Sequence, residues 1–113
     1  MRIWLLYWVL QPMCRNWDKG GNPNVSSAVQ AVVGIVTPGG STPGTITGRI
    51  ERFGLTEDNV RMLSPCSRIS TSSAPLFLIH GTADETVPPL SSQVMYGKYN
   101  KVGVYVELKW ILD

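Results

Sequence analysis

The chain carries one histidine and two cysteines in 113 residues, and these scarcities exclude several kinds of chemistry at once. Cys14 and Cys66 stand 52 positions apart and neither has a C-x-x-C neighbour, so Cys and His alone cannot assemble a zinc site. One disulfide is compatible with the count but not required by it, and two unpaired thiols are the expectation. Charge of one sign is also scarce. Ten Lys and Arg stand against eight Asp and Glu, a net charge of +2 without any basic cluster. Neither nucleic acid nor an anionic membrane is therefore an expected partner. No apolar run approaches the ~20 residues of a membrane span. The longest, Ile3 to Leu10 (IWLLYWVL), has eight residues and follows a single positive charge. It holds three bulky aromatics and no small-x-small cleavage pattern comes after it, so a buried helix or strand is expected there rather than a signal peptide.

What is present suits one globular domain. Apolar residues make up 43% and charged residues 16%, which is not the composition of a disordered chain. Residues 15–28 are polar and rich in Gly, Asn and Ser, and read as a loop. Val29 to Val36 (VQAVVGIV) is a short, nearly continuous apolar run. Such runs suit strands of a parallel sheet covered on both faces. Thr37 to Gly48 holds four Gly and two Pro in twelve residues and is expected to be a loop. The Glu57 and Arg61 spacing suits an exposed helical turn. Ser64-Pro65 and the Ser/Thr run from Ser67 to Ser73 form a second loop.

The C-terminal half is better patterned. Leu76 to His80 is a second apolar run that ends at Gly81, where a chain can turn sharply. Pro88-Pro89 blocks a helix at that point and permits one just beyond it, with Ser91 or Ser92 as cap. Val94, Met95, Tyr99 and Val102 recur at helical spacing, and Gly103 is a suitable stop. Val104 to Leu112 is a third strand-like run. The expected fold class is α/β, with parallel strands near 29–36, 76–81 and 104–111 and a crossover helix near 91–102. Val32, Val33, Ile35, Leu76, Phe77, Leu78, Ile79, Val104, Val106 and Leu108 should be mostly buried within the sheet.

Chemistry in open α/β sheets gathers at the carboxyl ends of the strands. Asp84 lies there, four residues after His80. An acid in that place can accept a hydrogen bond from an imidazole and stabilise its charged form, or it can merely close a turn. The residues around it decide further. PLFLIHGTADETVPPLSSQVMYGKYNKVGVYVEL, residues 75–108, resembles the C-terminal half of the α/β-hydrolase fold, in its branch of esterases, lipases and prolyl-oligopeptidase-like serine hydrolases. The resemblance lies in an H-G-x-x-D-x-x-V-P block (His80, Gly81, Asp84, Val87, Pro88), a helix carrying Tyr96, and a G-V-x-V-E-L strand from Gly103 to Leu108. Upstream, GNPNVSSAVQAVV resembles the family's entry into the strand after its nucleophile helix, and Ser64-Pro65 its segment before the acid strand. Together the likeness covers about 20–36 and 63–110, while 1–19 and 37–62 diverge.

The resemblance implies a partial, three-layer α/β-hydrolase fold that cleaves ester or peptide bonds by Ser-Asp-His acyl transfer. It makes Asp84 the acid of that triad and His80 a structural residue, and it implies no cofactor and no metal. The family order is Ser, Asp, His, with the Ser in G-x-S-x-G. This chain contains no G-x-S-x-G. Its nearest imitation, Gly39-Gly40-Ser41-Thr42-Pro43, ends in Pro and comes after the wrong strand, so Ser41 is not expected to be the nucleophile. A Cys14 or Cys66 nucleophile with His80 as base fits by residue type only. The family's catalytic His lies beyond the last strand, where this sequence ends at Asp113. The expectation is therefore a fragment, truncated or frame-disturbed, that keeps one triad member and is inactive alone. The alternative is a non-catalytic α/β module that binds a partner or ligand.

Overall fold

The structure is a computed structural model of the chain and describes residues 24–26, 28–37, 43–62 and 64–112. The expectations for Ile3–Leu10, Cys14, most of the 15–28 loop and Ser41 fall outside the described residues. Three strands form one parallel sheet in the order β1 (Val32–Ile35), β2 (Leu76–Gly81), β3 (Val106–Ile111). Helices α1 (Pro43–Phe53) and α2 (Glu57–Met62) and a single 3-10 turn (Pro65–Arg68) lie between β1 and β2. Helix α3 (Leu90–Val102) carries the chain from β2 to β3. The expected α/β fold is present, with all three strands and the crossover helix in their expected places.

The core arises from two periodicities. Along β2 the side chains alternate, so Leu76, Leu78 and His80 share one face and are fully buried. Along α3, Met95 and Tyr99 stand one turn apart and meet that face. With Cys66 from the 3-10 turn they make the central cluster, and Val32, Val104, Val106 and Leu108 pack half-buried against it. The parallel register explains the row: Leu76 stands between Val32 and Val106, and Leu78 between Gly34 and Leu108. Tyr99 donates its hydroxyl hydrogen to the Ala74 carbonyl at 2.9 Å, which satisfies its one polar atom in the core. At the helix end Gly103 adopts φ 76°, a left-handed cap that a side chain would strain.

Three expectations need correction. Val33 and Ile35 are not buried but 62% and 67% exposed. They lie on the odd-numbered face with Phe77 and Ile79, which are half-buried, and with Glu107 and Lys109 of β3. Helix α3 covers the even face only, so a continuous apolar run here marks one buried row and one open row. Next, Pro43 to Gly48 is not loop but the first half of α1. Pro is tolerated at the first helical position, where its missing N–H needs no partner, and Ile46, Ile50 and Phe53 recur at helical spacing beyond it. Finally, neither Ser91 nor Ser92 caps α3: Pro89 occupies that position without a side-chain bond, and both serines are buried. A serine-type cap does occur on α2, where Thr56 Oγ1 accepts the Asn59 N–H at 3.2 Å.

This packing has two measurable outcomes. The open row of Val33, Ile35, Phe77 and Ile79 will bind a hydrophobic dye in the purified 113-residue chain, and a cooperative melt without dye binding is the contrary result. Burial, more than any other influence, pushes the Tyr99 phenol up to about 12 from its ordinary value of 10.0. The folded state then keeps a proton that the unfolded chain releases. Stability is complete below the unfolded value of about 10 and falls as pH rises toward about 12, by roughly 1.4 kcal/mol per pH unit at most. Denaturation midpoints of wild type and Tyr99→Phe across that window will diverge if this holds.

Candidate active site

The carboxyl ends of β1 and β2 and the start of α3 meet at one place. β2 ends at Gly81, and the Asp84 N–H turns back to the Gly81 carbonyl at 3.4 Å. Asp84 Oδ1 then accepts two backbone hydrogens, from Thr86 N–H at 2.9 Å and Val87 N–H at 2.8 Å. This is the turn that an Asp side chain makes by standing in for a carbonyl. It leaves Oδ2 with no hydrogen bond among the described residues, in a side chain that is 19% exposed. One oxygen is locked by two amides, and the other stays free of hydrogen bonds among the described residues, 3.8 Å from the His80 ring.

His80 lies beneath this turn and is fully buried. Its Nε2 is 2.7 Å from the Val87 carbonyl oxygen, which can only accept, so Nε2 carries a proton and donates. Its Nδ1 is 2.6 Å from Ser92 Oγ, and in the neutral ring the Ser92 hydroxyl donates to it. Asp84 Oδ2 is 3.8 Å from Nε2, too far for a hydrogen bond. Trp110, opposite His80 on β3, tilts against the ring at 6.2 Å between centroids. Both nitrogens are engaged within the fold and the ring has no exposed surface. It is not a base for Cys66, whose buried side chain belongs to the core cluster and meets neither nitrogen.

The β1 side of the site is held just as closely. Val36 leaves the sheet at φ 50°, in the left-handed region that a β-branched residue rarely enters. Its N–H donates to the Ile79 carbonyl at 2.9 Å, which keeps the bend against β2. Thr37 is buried, and its carbonyl accepts the Ser91 hydroxyl at 3.1 Å. On the β3 side, Thr82 N–H donates to the Ile111 carbonyl at 3.0 Å. Sequence reasoning located Asp84 and His80 but missed Ser92 and Trp110. The only local signal for Ser92 was a serine pair just after Pro-Pro, which reads equally well as a cap. Among the described residues no group of three His, Cys, Asp or Glu side chains could hold a metal ion, and no helix is long and apolar enough to cross a membrane.

Asp84 thus stands at the carboxyl end of the central strand of a parallel α/β sheet, where sites in such sheets gather. Three solved structures share the fold. A truncated carbohydrate esterase from gut microbiota superimposes with a TM-score of 0.77 at 15% identity, over 95% of this chain and 46% of that one. An acetyl ester-xyloside bifunctional hydrolase from Caldicellulosiruptor lactoaceticus gives 0.74 at 22% identity, over 95% of this chain and 41% of that one. A thermophilic esterase from the Planctomycetes species Thermogutta terrifontis gives 0.63 at 24% identity, over 84% of this chain and 35% of that one. At these identities the likeness is one of fold. This chain spans less than half the length of each. No protein-family model matches the chain, and no curated protein matches it.

The tightness of this corner can be probed at Gly34. A Cβ there would lie 2.6 Å from Thr37 Oγ1 and 3.0 Å from Leu78 Cδ2. Gly34→Ala will therefore push Thr37 away from Ser91 or shift Leu78, at a cost of about 1–3 kcal/mol. The urea midpoint of the variant against wild type measures it, and an unchanged midpoint would mean that the corner yields freely.

Proposed function

We propose that the chain is the C-terminal part of a serine hydrolase of the α/β-hydrolase type, acting on carboxylic esters, with Asp84 as the acid of a Ser-Asp-His triad. The observation that carries this reading is the geometry of Asp84 just past the end of the central strand: Oδ1 is bound by two backbone amides, and Oδ2 has no hydrogen bond among the described residues. An imidazole placed above it would find an acceptor for Nδ1–H in a fixed direction, and a carboxylate that stabilises its charged form. All 113 residues belong to one partial hydrolase domain in this reading, with 20–36 and 63–110 carrying the family pattern. The ester activities of the fold neighbours favour an ester over a peptide bond; the prolyl-oligopeptidase-like alternative rests on the H-G-x-x-D-x-x-V-P block alone. The substrate is a small ester, and neither nucleic acid nor membrane is a partner.

Asp84 cannot attack a carbonyl in this mechanism; it orients a histidine and stabilises its charge. Nucleophilic attack and proton transfer to the leaving group both need residues that no part of this sequence supplies in the family pattern. The 113-residue chain will therefore hydrolyse a small activated ester no faster than buffer and will not be labelled by a fluorophosphonate probe. In a longer chain with a G-x-S-x-G serine upstream and a histidine downstream, activity will appear, and Asp84→Asn will lower kcat by about 10⁴, as in chymotrypsin-type triads. Turnover by the 113-residue chain that Ser41→Ala or Cys66→Ala abolishes would overturn the assignment.

A further inference from the structure

Val87 is held from both of its backbone ends. Its N–H donates to Asp84 Oδ1 at 2.8 Å, and its carbonyl accepts from His80 Nε2 at 2.7 Å. His80 is in turn held at Nδ1 by Ser92, which is fixed in the first turn of α3. Four groups thus run in series from helix to carboxylate: the Ser92 hydroxyl, the His80 ring, the Val87 backbone and Asp84 Oδ1. The two inner members are buried or half-buried, and Ser92 is fully buried. A buried imidazole needs a partner for each nitrogen, and here the two partners belong to different elements, the acid turn and α3, so the ring ties them together. Leu76 and Leu78, on the same face of β2, fill the core without any polar atom.

We propose that His80 is the positioning residue of the acid: clamped by the Ser92 hydroxyl and gripping the Val87 carbonyl, it fixes the 82–88 turn and thereby the direction in which Asp84 Oδ2 points. The proposal rests on the reading of Asp84 as the triad acid, and it assigns to His80 and Ser92 a role in the alignment of that acid rather than in the reaction. The 3.8 Å separation of Nε2 from Oδ2 is part of the design. His80 supports the carboxylate through Val87 and does not occupy the oxygen that a catalytic imidazole would use. The tautomer is set by the same contacts. The carbonyl requires a proton on Nε2, and the Ser92 hydroxyl supplies the donor that Nδ1 then needs.

The chain has one histidine, so a single ¹⁵N-histidine label reports on this ring alone. The spectrum of the 113-residue chain will show a protonated, pyrrole-like Nε2 and a hydrogen-bonded, pyridine-like Nδ1; the opposite tautomer overturns the proposal. Hydrogen–deuterium exchange gives the second readout. In His80→Leu, which keeps bulk and removes both bonds, amides of 82–87 will exchange about tenfold faster than in wild type, with β2 and α3 little changed. His80→Gln, whose amide still offers a donor to the Val87 carbonyl, will restore most of the protection. Ser92→Ala removes one hydroxyl from the helix side and decides the matter if His80→Leu does not fold: it will shift the Nδ1 resonance and raise exchange in 82–87. Unchanged exchange in that turn, or an equal rise throughout β2 and α3, overturns the proposal and leaves His80 a packing residue. None of these readouts involves turnover. If Asp84→Asn leaves a longer, active chain at full rate, the triad reading fails while the clamp stands on its own measurements.

Discussion

β2 is paired on both edges, and the same parity that places Leu76 and Leu78 beneath α3 places His80 there too. Everything at the site depends on that register. A slip of one residue would turn the leucines toward the open face and carry His80 away from Ser92. The acid turn would then lose its floor, because the Val87 carbonyl is tied to the core through the histidine ring. The hydrophobic row and the polar site are therefore one feature, three steps along a single face of one strand. The apolar steps bury the strand, and the polar step ties the acid turn to it.

The local features and the parallel α/β architecture were legible in the sequence, whereas side-chain contacts between distant elements were not. The acid turn is legible because all its parts lie between Gly81 and Val87 and the chemistry of Asp turns is short-ranged. α3 and its stop at Gly103 are legible from spacing and from one residue with few alternatives. α1 escaped notice because Gly and Pro in 37–48 outweighed the Ile46, Ile50, Phe53 stripe that continues past them. Val33 and Ile35 were misplaced for a different reason. A run of Val and Ile reports that a strand is apolar on both faces, and it does not report whether anything covers the second one. Ser92 was invisible because its partner stands 12 residues away and is chosen by the packing of α3 on β2.

The open face also carries its own protection. On β3 the residues that align with Phe77 and Ile79 are Glu107 and Lys109, and both are exposed. Charges at a sheet edge oppose the addition of another strand, since a partner would have to desolvate them. On β1 the aligned residues are Val33 and Ile35, which offer no such resistance. Among the described residues the sheet is thus polarised across its width, charged on the β3 side and apolar on the β1 side. The parallel pairing brings these unlike edges to opposite sides of the same central strand.

Val36 and Pro75 mark the two ends of a long excursion between β1 and β2, and both ends are fastened to the sheet. Val36 N–H is tied to Ile79, the Thr37 carbonyl to Ser91, and the Pro75 carbonyl accepts Val32 N–H at 2.9 Å. A segment anchored so closely at entry and exit transmits little of its own length to the strands. Closing a loop twice as long costs only about 0.6 kcal/mol more. The left-handed step at Val36 acts as a hinge pin: it ends the strand by backbone geometry, whatever residues occupy the excursion. The junction therefore works as a splice point with one condition: sequence grafted into the excursion must leave Thr37 on Ser91 and the buried Val60 in place.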